Sequence, residues 1–327
     1  MRAGDAEGYS HPRTGAPLAL RADITRDGVV HSGTLSGDGD AFPIEDGIPR
    51  FCGGGEVASF GYQWTRFDRT QLDSRGGWDA QSRKRLFAHT GWPERMDGLR
   101  ILEAGCGMGR FTEVLASTGA EVWSFDATPA VEANAANNAA HANVRFAQAD
   151  LFAPPFAPRS FDRVLCVGVL QHTPDPAGAF ARLSALLAPG GEIAIDVYGL
   201  GWRCLLTPKY ALRPLTRRMK PERLHRLVRA HVGWVHPLTG LLHRAIGGRA
   251  RHLSWMLGVA DYRGLYPMDA ATARELSELD TFDMLAPAHD HPQTASAVRR
   301  WIEEAGLVDA VVEPVGGLVR ARARRTK

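Results

Sequence analysis

The chain has 327 residues, enough for one large domain or two smaller ones. Its formal net charge of +3 is too small to indicate nucleic-acid binding by itself. No apolar run reaches the roughly 18 residues of a membrane span, and the first residues lack the apolar core of a secretory signal. The 4 cysteines stand singly without a CxxC pair, which favours a reducing, cytoplasmic setting over a disulfide framework.

Residues 1–51 contain short apolar segments separated by turn residues, which predicts a small β-rich module. This part of the chain resembles the Trm112-like zinc ribbon, a module whose metal is held by two CxxC pairs. Here His11 and Thr14 occupy the places of the first pair, and the second pair is missing. Four tetrahedral ligands cannot be assembled from these residues, so we expect no zinc and no other metal.

Residues 52–98 are interpreted as a connector that begins with the flexible glycines 53–55. An aromatic segment at 60–68 includes Tyr62, Trp64 and Arg66. One hypothesis is that these three side chains cover a ligand site and contact the substrate. The alternative is that the aromatic rings fill the core, as aromatic rings commonly do.

The stretch 101–110 reads as a strand, a glycine turn and the start of a helix. Glycine allows the sharp turn and a close approach of the backbone to a ligand. The spacing of Gly105, Gly107 and Gly109 differs from the G-x-G-x-x-G fingerprint of dinucleotide sites, because Arg110 stands where the third glycine would be. Glu103 precedes the first glycine by two residues, and an acid there suits a ligand with an ammonium group.

Strands and helices then alternate up to residue 199. The second strand, 121–126, ends in Asp126, at the distance from the glycine turn where an acid accepts hydrogen bonds from ribose hydroxyls. The third strand, 143–150, ends in Asp150, and the fourth, 160–167, leads into Gln171 and His172. Pro189, with the glycines after it, is expected to stop a helix before the fifth strand, 192–198.

Together the glycine turn, Asp126, Asp150 and the Gln171-His172 segment resemble class I S-adenosylmethionine (SAM) methyltransferases, of the type 11 small-molecule kind. The resemblance covers roughly residues 99–199 and 294–323. It implies an α/β, Rossmann-like doubly wound sheet of seven strands in the order 3-2-1-4-5-7-6, with the last strand antiparallel, and SAM as cofactor. It further implies the following cofactor-binding residues: Glu103, Gly105, Cys106, Gly107, Gly109, Asp126, Ala127, Asp150, Leu151, Val167, Gln171 and His172.

Residues 200–292 interrupt the alternation after the fifth strand and are predicted to form a helical cap. Between 203 and 251 this insertion is rich in arginine, and Glu222 is its sole acid. We expect contact with an anionic acceptor, a carrier protein or a membrane surface, although a solvated basic face is the alternative. Candidate substrate residues beside the cap are Tyr198, Asp283, His289 and His291.

The predicted division is therefore a β module at 1–51, a connector at 52–98, a SAM-binding domain at 99–199 and 293–327, and a cap at 200–292. Thr294 is expected to begin the last helix, and two strands joined at Gly316 and Gly317 should follow. The arginine-rich residues from 320 onward are expected to be a frayed tail.

These features predict a cytoplasmic enzyme that moves the SAM methyl group to an oxygen, nitrogen or carbon atom of a small molecule. His172 is the candidate general base, since its unperturbed pKa lies near neutrality; a purely structural role is the alternative. Two other functions stay open. RNA methylation is disfavoured because no Asn/Asp-Pro-Pro-aromatic tetrad occurs, and a SAM-binding accessory protein would lack catalysis.

Overall fold

The computed structural model describes residues 1–53, 58–75, 80–201 and 207–327. Gly54, Gly55 and Arg203, which the sequence analysis assigned to the connector and the basic insertion, lie outside the described residues. The N-terminal module begins with a short 3-10 helix, Ala3–Gly8. Its antiparallel sheet has the order β1-β2-β3-β4, formed by β1 (Ala19–Arg26), β2 (Val29–Gly37), β3 (Asp40–Glu45) and β4 (Ile48–Pro49).

A seven-stranded sheet forms the centre of the molecule. Its strands are β5 (Arg100–Ala104), β6 (Glu121–Asp126), β7 (Val144–Gln148), β8 (Phe161–Val167), β9 (Leu187–Tyr198), β10 (Leu307–Val315) and β11 (Leu318–Arg325). The spatial order is β10-β11-β9-β8-β5-β6-β7, and β11 runs antiparallel to both of its neighbours. The predicted α/β fold and strand order are confirmed.

Helices flank this sheet and build the insertion. They are α1 (Ala58–Arg66), α2 (Gln81–Thr90), α3 (Arg110–Ala116), α4 (Ala130–Asn137), α5 (Pro176–Ala185), α6 (Pro208–Thr216), α7 (Pro221–Ile246), α8 (Ala250–Met256), α9 (Ala270–Leu285) and α10 (Ala295–Glu304). Thr294 begins α10 as expected, because its side-chain oxygen accepts the Ala297 N–H at 3.1 Å. Among the described helices, none has both the length and the apolarity needed to cross a bilayer.

The fifth strand starts earlier than the sequence indicated. Pro189 was expected to stop a helix, but α5 ends at Ala185 and β9 begins at Leu187. The pairing with β8 shifts register between Leu187 and Glu192, so the Pro-Gly-Gly segment forms a bulge inside β9. Gly190 adopts a φ of 78° there, a value that glycine reaches without strain.

The predicted terminal hairpin is confirmed, but its second strand continues through the arginine-rich residues to Arg325, so the prediction of a frayed tail was wrong. Residues 318–324 pair in register with β9, opposite Tyr198 to Glu192. Val319, Ala321 and Ala323 alternate with the arginines and are buried in the main core. Arg325 donates from its guanidinium to the Ser184 carbonyl at 2.8 Å. Burial of an apolar side chain at every second position therefore stabilises this segment as a strand, although the arginines between them are charged.

The insertion has a hydrophobic cluster of its own. One face of α7 buries Leu224, Val228, Val232 and Val235 against residues of α9 that include Phe282. Because apolar residues on α7 recur every three or four positions, they form a single stripe toward α9. The cap therefore packs as a helical layer on the same side as α1, which contacts both α7 and α9.

The N-terminal module closes the β7 side of the large sheet. Tyr9 is buried there, and its ring lies 4.9 Å from the Trp123 ring and 5.8 Å from the Phe156 ring, between centroids. Its hydroxyl donates to the Phe146 carbonyl at 2.9 Å. His11 is held within the module, since its Nδ1 accepts from the Arg13 and Thr14 N–H groups and its Nε2 lies 2.9 Å from Asp40.

We expect Tyr9→Ala to lower the free energy of unfolding by about 3–5 kcal/mol, because it removes a buried aromatic ring and leaves a cavity. Urea denaturation followed by circular dichroism measures the change. Ile24→Ala is the control, since Ile24 is exposed on β1 and should cost under about 0.5 kcal/mol. Equal losses in both variants would contradict the assignment of Tyr9 as the anchor of the module.

Candidate active site

A cavity of about 1360 Å³ opens at the carboxyl ends of the parallel strands. The large sheet supplies its floor, α1 and α2 supply part of its wall, and residues of α8 and α9 cover it. Ligands in open α/β sheets bind at this edge. The predicted site residues that line the cavity are Trp64, Gly105, Cys106, Gly107, Asp126, Ala127, Asp150, Leu151, Val167, His172, Tyr198, Asp283 and His289.

The glycine turn after β5 is tightly enclosed. Gly105 and Gly109 have φ values of 73° and 95°, in the left-handed region that favours glycine. A Cβ on Gly105 would lie 2.4 Å from Val169 Cγ2, and one on Gly109 would lie 2.1 Å from Asn134 Oδ1. Gly109 itself does not line the cavity. Its conformation instead turns the chain into α3, while Gly105 and Gly107 leave backbone exposed to a ligand.

Helix α1 places one of its three candidate residues over this turn. A Cβ on Gly107 would lie 3.1 Å from the Trp64 indole, so Trp64 packs directly against the glycine. Tyr62 instead points into the cap, where its hydroxyl lies 2.8 Å from His225 Nδ1. Arg66 is exposed, with its guanidinium 5.8 Å from the Phe67 ring centre. Trp64 is two residues from each of the others and faces a different direction, whereas Tyr62 and Arg66 are four residues apart and share the other face of the helix.

Asp126 closes the turn from the neighbouring strand. Its Oδ2 accepts the Gly107 N–H at 2.9 Å, and its Oδ1 accepts the backbone N–H and the hydroxyl of Thr128 at 2.9 and 2.7 Å. Burial raises the pKa of this carboxyl, and the three donors oppose that shift. Asp150 also lines the cavity, and its Oδ1 accepts the Phe152 N–H at 2.9 Å.

Glu103 lies behind the turn and outside the cavity, contrary to the predicted cofactor contact. Its side chain leaves β5 on the face toward α3, where the hydroxyls of Thr112 and Ser124 donate to Oε2. Asn134 Nδ2 donates to the same two hydroxyls, at 2.9 and 3.1 Å. Burial raises the pKa of Glu103 to about 7, so the group is held as a partly protonated member of a structural network.

Two further predicted residues lie beside the cavity rather than in its lining. The carbonyl of Gln171 accepts the His291 N–H at 2.8 Å, and this bond joins the end of the cap to the short segment that follows β8. The His291 side chain is exposed and stacks on His289, with 5.6 Å between ring centroids. Their contribution is to hold the loop that carries His289.

His172 lies in a short 3-10 helix after β8, with its ring between Phe60 and Tyr198. Its Nδ1 lies 3.2 Å from the His289 carbonyl, which can only accept, so Nδ1 carries the proton. Nε2 is then left with a lone pair, and it has no hydrogen-bond partner among the described residues. Burial lowers the pKa of His172, and Asp283 opposes that shift. The imidazole is therefore neutral near neutral pH.

Asp283 of α9 connects these groups. Its Oδ2 lies 3.9 Å from His172 Nε2 and accepts the Tyr198 hydroxyl at 3.0 Å. Its Oδ1 accepts from Gln63 Nε2 at 3.2 Å. The pKa of Tyr198 is well above its usual range because the phenol is buried and faces this carboxylate. Tyr198 consequently stays a donor.

Sequence reasoning missed Gln63 and Asp280, which also line the cavity. Burial raises the pKa of Asp280 to about 6, while its hydrogen bond with Tyr262 opposes the shift. Asp280 precedes Asp283 by three residues in a predicted helix, a spacing that puts both carboxyls on one face. That spacing was the available signal; Gln63 had none beyond its position between two aromatic residues.

These residues fit SAM. The cavity presents two strand-end carboxyls, Asp126 and Asp150, beside a glycine turn whose backbone a side chain would cover. Asp126 and Asp150 would hold the polar nucleoside, and Trp64 would border the same ligand. Among the described residues no group of three or more His, Cys, Asp or Glu side chains is arranged to hold a metal ion.

Comparison with known proteins agrees with this site. Residues 102–195 match the family described as Methyltransferase domain. The chain is 28% identical over 218 residues to Ubiquinone biosynthesis O-methyltransferase of Xanthomonas campestris pv. campestris (strain B100), covering 57% of this chain and 90% of the relative. It is 30% identical over 149 residues to the protein of the same name from Xylella fastidiosa (strain 9a5c), covering 41% and 59%.

A solved structure of Haemonchus contortus phosphoethanolamine N-methyltransferase 2 with S-adenosyl-L-methionine is also similar, at 15% identity and a TM-score of 0.47. The structural alignment covers 83% of this chain and 57% of the Haemonchus chain. The strand order, the glycine turn and the family match together define a class I methyltransferase domain. The protein is a SAM-dependent methyltransferase, and SAM is its cofactor.

We expect Asp126→Ala to weaken SAM binding by about 1–3 kcal/mol, because the carboxyl both organises the glycine turn and faces the cavity. Isothermal titration calorimetry with SAM measures the loss. Glu103→Gln is the matched control, since Glu103 lies outside the cavity and its substitution should leave the dissociation constant close to that of the parent. Equal weakening by the two variants would contradict the separate roles assigned to them.

Glu103 also predicts a pH dependence of stability. Its folded-state pKa of about 7 exceeds the ordinary 4.5, so its contribution to folding is fully present below the ordinary value and is lost as pH rises through 7. The parent should therefore lose up to about 3 kcal/mol of its free energy of unfolding between about pH 5 and about pH 8, and Glu103→Gln should not show this loss. Urea unfolding at both pH values measures the difference, and parallel stability profiles would contradict it.

Proposed function

We propose that this enzyme methylates a hydroxyl oxygen of a small molecule held beneath the cap, with His172 as general base. The observation that carries the proposal is the arrangement of the His172 ring. Its Nδ1 proton is engaged by a backbone carbonyl, which leaves the Nε2 lone pair in a buried, cavity-lining position. A hydroxyl bound beside Nε2 would lose its proton to a base that is already in the required tautomer.

Bound SAM would supply an electrophilic methyl group, which the acceptor oxygen would take by in-line displacement with S-adenosylhomocysteine as the leaving group. The protein has to hold that oxygen against the methyl group and accept the hydroxyl proton. In this proposal His172 accepts the proton at Nε2 and becomes an imidazolium. The Asp283 carboxylate, 3.9 Å from Nε2, lies within ion-pair distance of the positive charge. Tyr198 and Gln63 hold that carboxylate in place by donating to it.

The lining of the cavity supports an acceptor with a flat, largely apolar skeleton. Around the polar centre the walls are formed mainly by aromatic and aliphatic side chains: Phe60, Trp64, Trp255, Tyr262, Leu265, Leu276, Leu279 and Met284. Binding of an apolar acceptor to such walls is favourable because apolar surface is removed from water, while a few polar groups fix the orientation of the acceptor. An acceptor of this kind also agrees with the O-methyl transfer in the names of the relatives.

We also propose that the acceptor carries an anionic substituent. The residue that would contact it is Arg320, and not the arginines of the insertion that the sequence suggested. Lys209 and Arg85 line the cavity and are already paired with Asp290 and Asp196, at 2.9 and 2.8 Å. Arg320 of β11 lines the cavity as well, and its buried Nε has no hydrogen-bond partner within the described residues. A carboxylate on the acceptor would therefore meet Arg320. The cytoplasmic location expected from the composition also stays a proposal.

We expect His172→Gln to lower the turnover number by roughly 10²–10⁴-fold, the usual contribution of a general base. The measurement is methyl transfer from labelled SAM to a panel of phenols and catechols, with calorimetry of SAM binding alongside. His291→Gln is the control, since that ring is exposed and outside the cavity lining.

The pH profile gives a second readout. Because burial lowers the pKa of His172, turnover of the parent should fall only below the ordinary histidine value of 6.5. A His172→Gln variant that loses SAM affinity but keeps the parent's turnover at saturation would make His172 a cofactor contact instead of a base.

A further inference from the structure

The outer face of α7 carries an unpartnered apolar stripe. Leu227, Trp234, Leu238 and Leu241 are 52%, 66%, 43% and 65% exposed. They recur at intervals of three, four or seven residues, so they project from one side of the helix. By helix periodicity this side lies about 100° around the helix from the face that buries Val228 and Val235 against α9. We call these four residues the outer stripe.

Exposed apolar side chains are concentrated in this part of the molecule. Of the 14 large hydrophobic residues exposed in the described chain, 9 belong to α6, α7 and α8. Ile246 at the end of α7 and Met256 on α8 are among them, and α8 packs against α7. Scattered single residues of this kind need no explanation, but a concentration on α7 and α8, which pack together, indicates an interaction surface.

The charges beside the outer stripe are almost all positive. Arg223, Arg226 and Arg244 of α7 are exposed and form no ion pair with any residue that the structure describes. Between 207 and 256 the sole acidic residue is Glu222. This differs from Lys209 and Arg213 of α6, whose charges face Asp290 inside the protein. The arginines on α7 are thus available to an external anion.

We propose that the outer stripe and its arginines dock the enzyme onto the surface of an anionic lipid bilayer. Leucine and tryptophan side chains insert at the boundary between headgroups and acyl chains, while flanking arginines contact the anionic headgroups. The helix lies on such a surface and does not span it, since no described helix is both long and apolar enough to cross a bilayer. A second copy of the chain fits this face less well, because a twofold contact would bring arginines against arginines.

Docking would also bring the cavity wall close to the lipid. Trp255 lines the cavity, and its neighbour in α8, Met256, is exposed. An apolar acceptor dissolved in the bilayer would then reach the cavity along α8. This route rests on the proposed function, whereas the docking itself does not, and the two are tested separately because vesicle binding needs no acceptor.

The test is co-sedimentation of the full chain with vesicles of phosphatidylcholine alone and of phosphatidylcholine mixed with phosphatidylglycerol. We expect binding to the anionic vesicles that weakens with salt. The triple variant W234Q/L238Q/L241Q should reduce the partition coefficient at least about 100-fold. The double variant R223Q/R226Q should reduce it roughly fivefold per arginine. The double variant I24Q/R26Q on β1 is the matched control, since both side chains are exposed far from α7 in sequence.

Circular dichroism and thermal unfolding of each variant establish that the fold is retained, as expected for exposed side chains. Analytical ultracentrifugation of the parent and the triple variant reports on the alternative occupant. No binding to either vesicle type, equal binding to both, or unchanged binding of the two α7 variants would overturn the proposal. So would a parent dimer that the triple variant converts to a monomer, because a second copy would then cover the face.

Discussion

The organisation of the site depends on one hydrogen bond, from the Gly107 N–H to the Asp126 carboxylate. The bond joins the turn after β5 to the end of β6, and it forms only if the turn comes close to its surroundings. The contacts that a Cβ would make at Gly105, Gly107 and Gly109 show how little space is left. With this turn in place, backbone and carboxyl face the same cavity, and α3 starts in the direction that buries Phe111 and Leu115.

The two acids near the turn play different parts because they lie on different sides of it. Asp126 is on the cavity side and accepts three hydrogen bonds from donors that favour its charged form. Glu103 is on the far side, where the hydroxyls of Thr112 and Ser124 donate to it; burial raises the pKa of both carboxyls, and the hydrogen bonds to each oppose that shift. The network of Glu103 with Thr112, Ser124 and Asn134 joins β5 and β6 to α3 and α4. A structural carboxyl, Glu103, thus lies behind a carboxyl that faces the cavity, Asp126, on two neighbouring strands.

The sequence predicted those features that depend on neighbouring residues along the chain, and it failed where packing between distant segments decides the structure. The glycine turn and the strand-end position of Asp126 follow from period and spacing, whereas the strand order was implied by the resemblance to class I SAM methyltransferases. Glu103 was misplaced because alternation along β5 sends it toward α3, and only the packed sheet shows which face holds the ligand. Tyr62 and Arg66 were misplaced because α1 is a helix and projects only Trp64 over the turn. The arginines of β11 were misread because charge suggested solvent, whereas pairing with β9 required the strand.

The chemistry of the cavity comes from the insertion as much as from the sheet. Helix α9 buries Phe282 and Leu285 in the cap and turns Asp280 and Asp283 toward the cavity, so one helix carries both the cap core and the acids. For His172 two effects oppose each other: burial favours the neutral ring, and Asp283 favours the charged ring. In the proposed mechanism the first would keep Nε2 unprotonated before the reaction, and the second would stabilise the imidazolium once Nε2 accepts a proton. Tyr198 adds no competing base, because its raised pKa keeps the phenol protonated and donating to Asp283. In the proposed mechanism a proton released beside Nε2 would therefore pass to His172, and the Asp283 carboxylate, 3.9 Å away, would face the resulting positive charge.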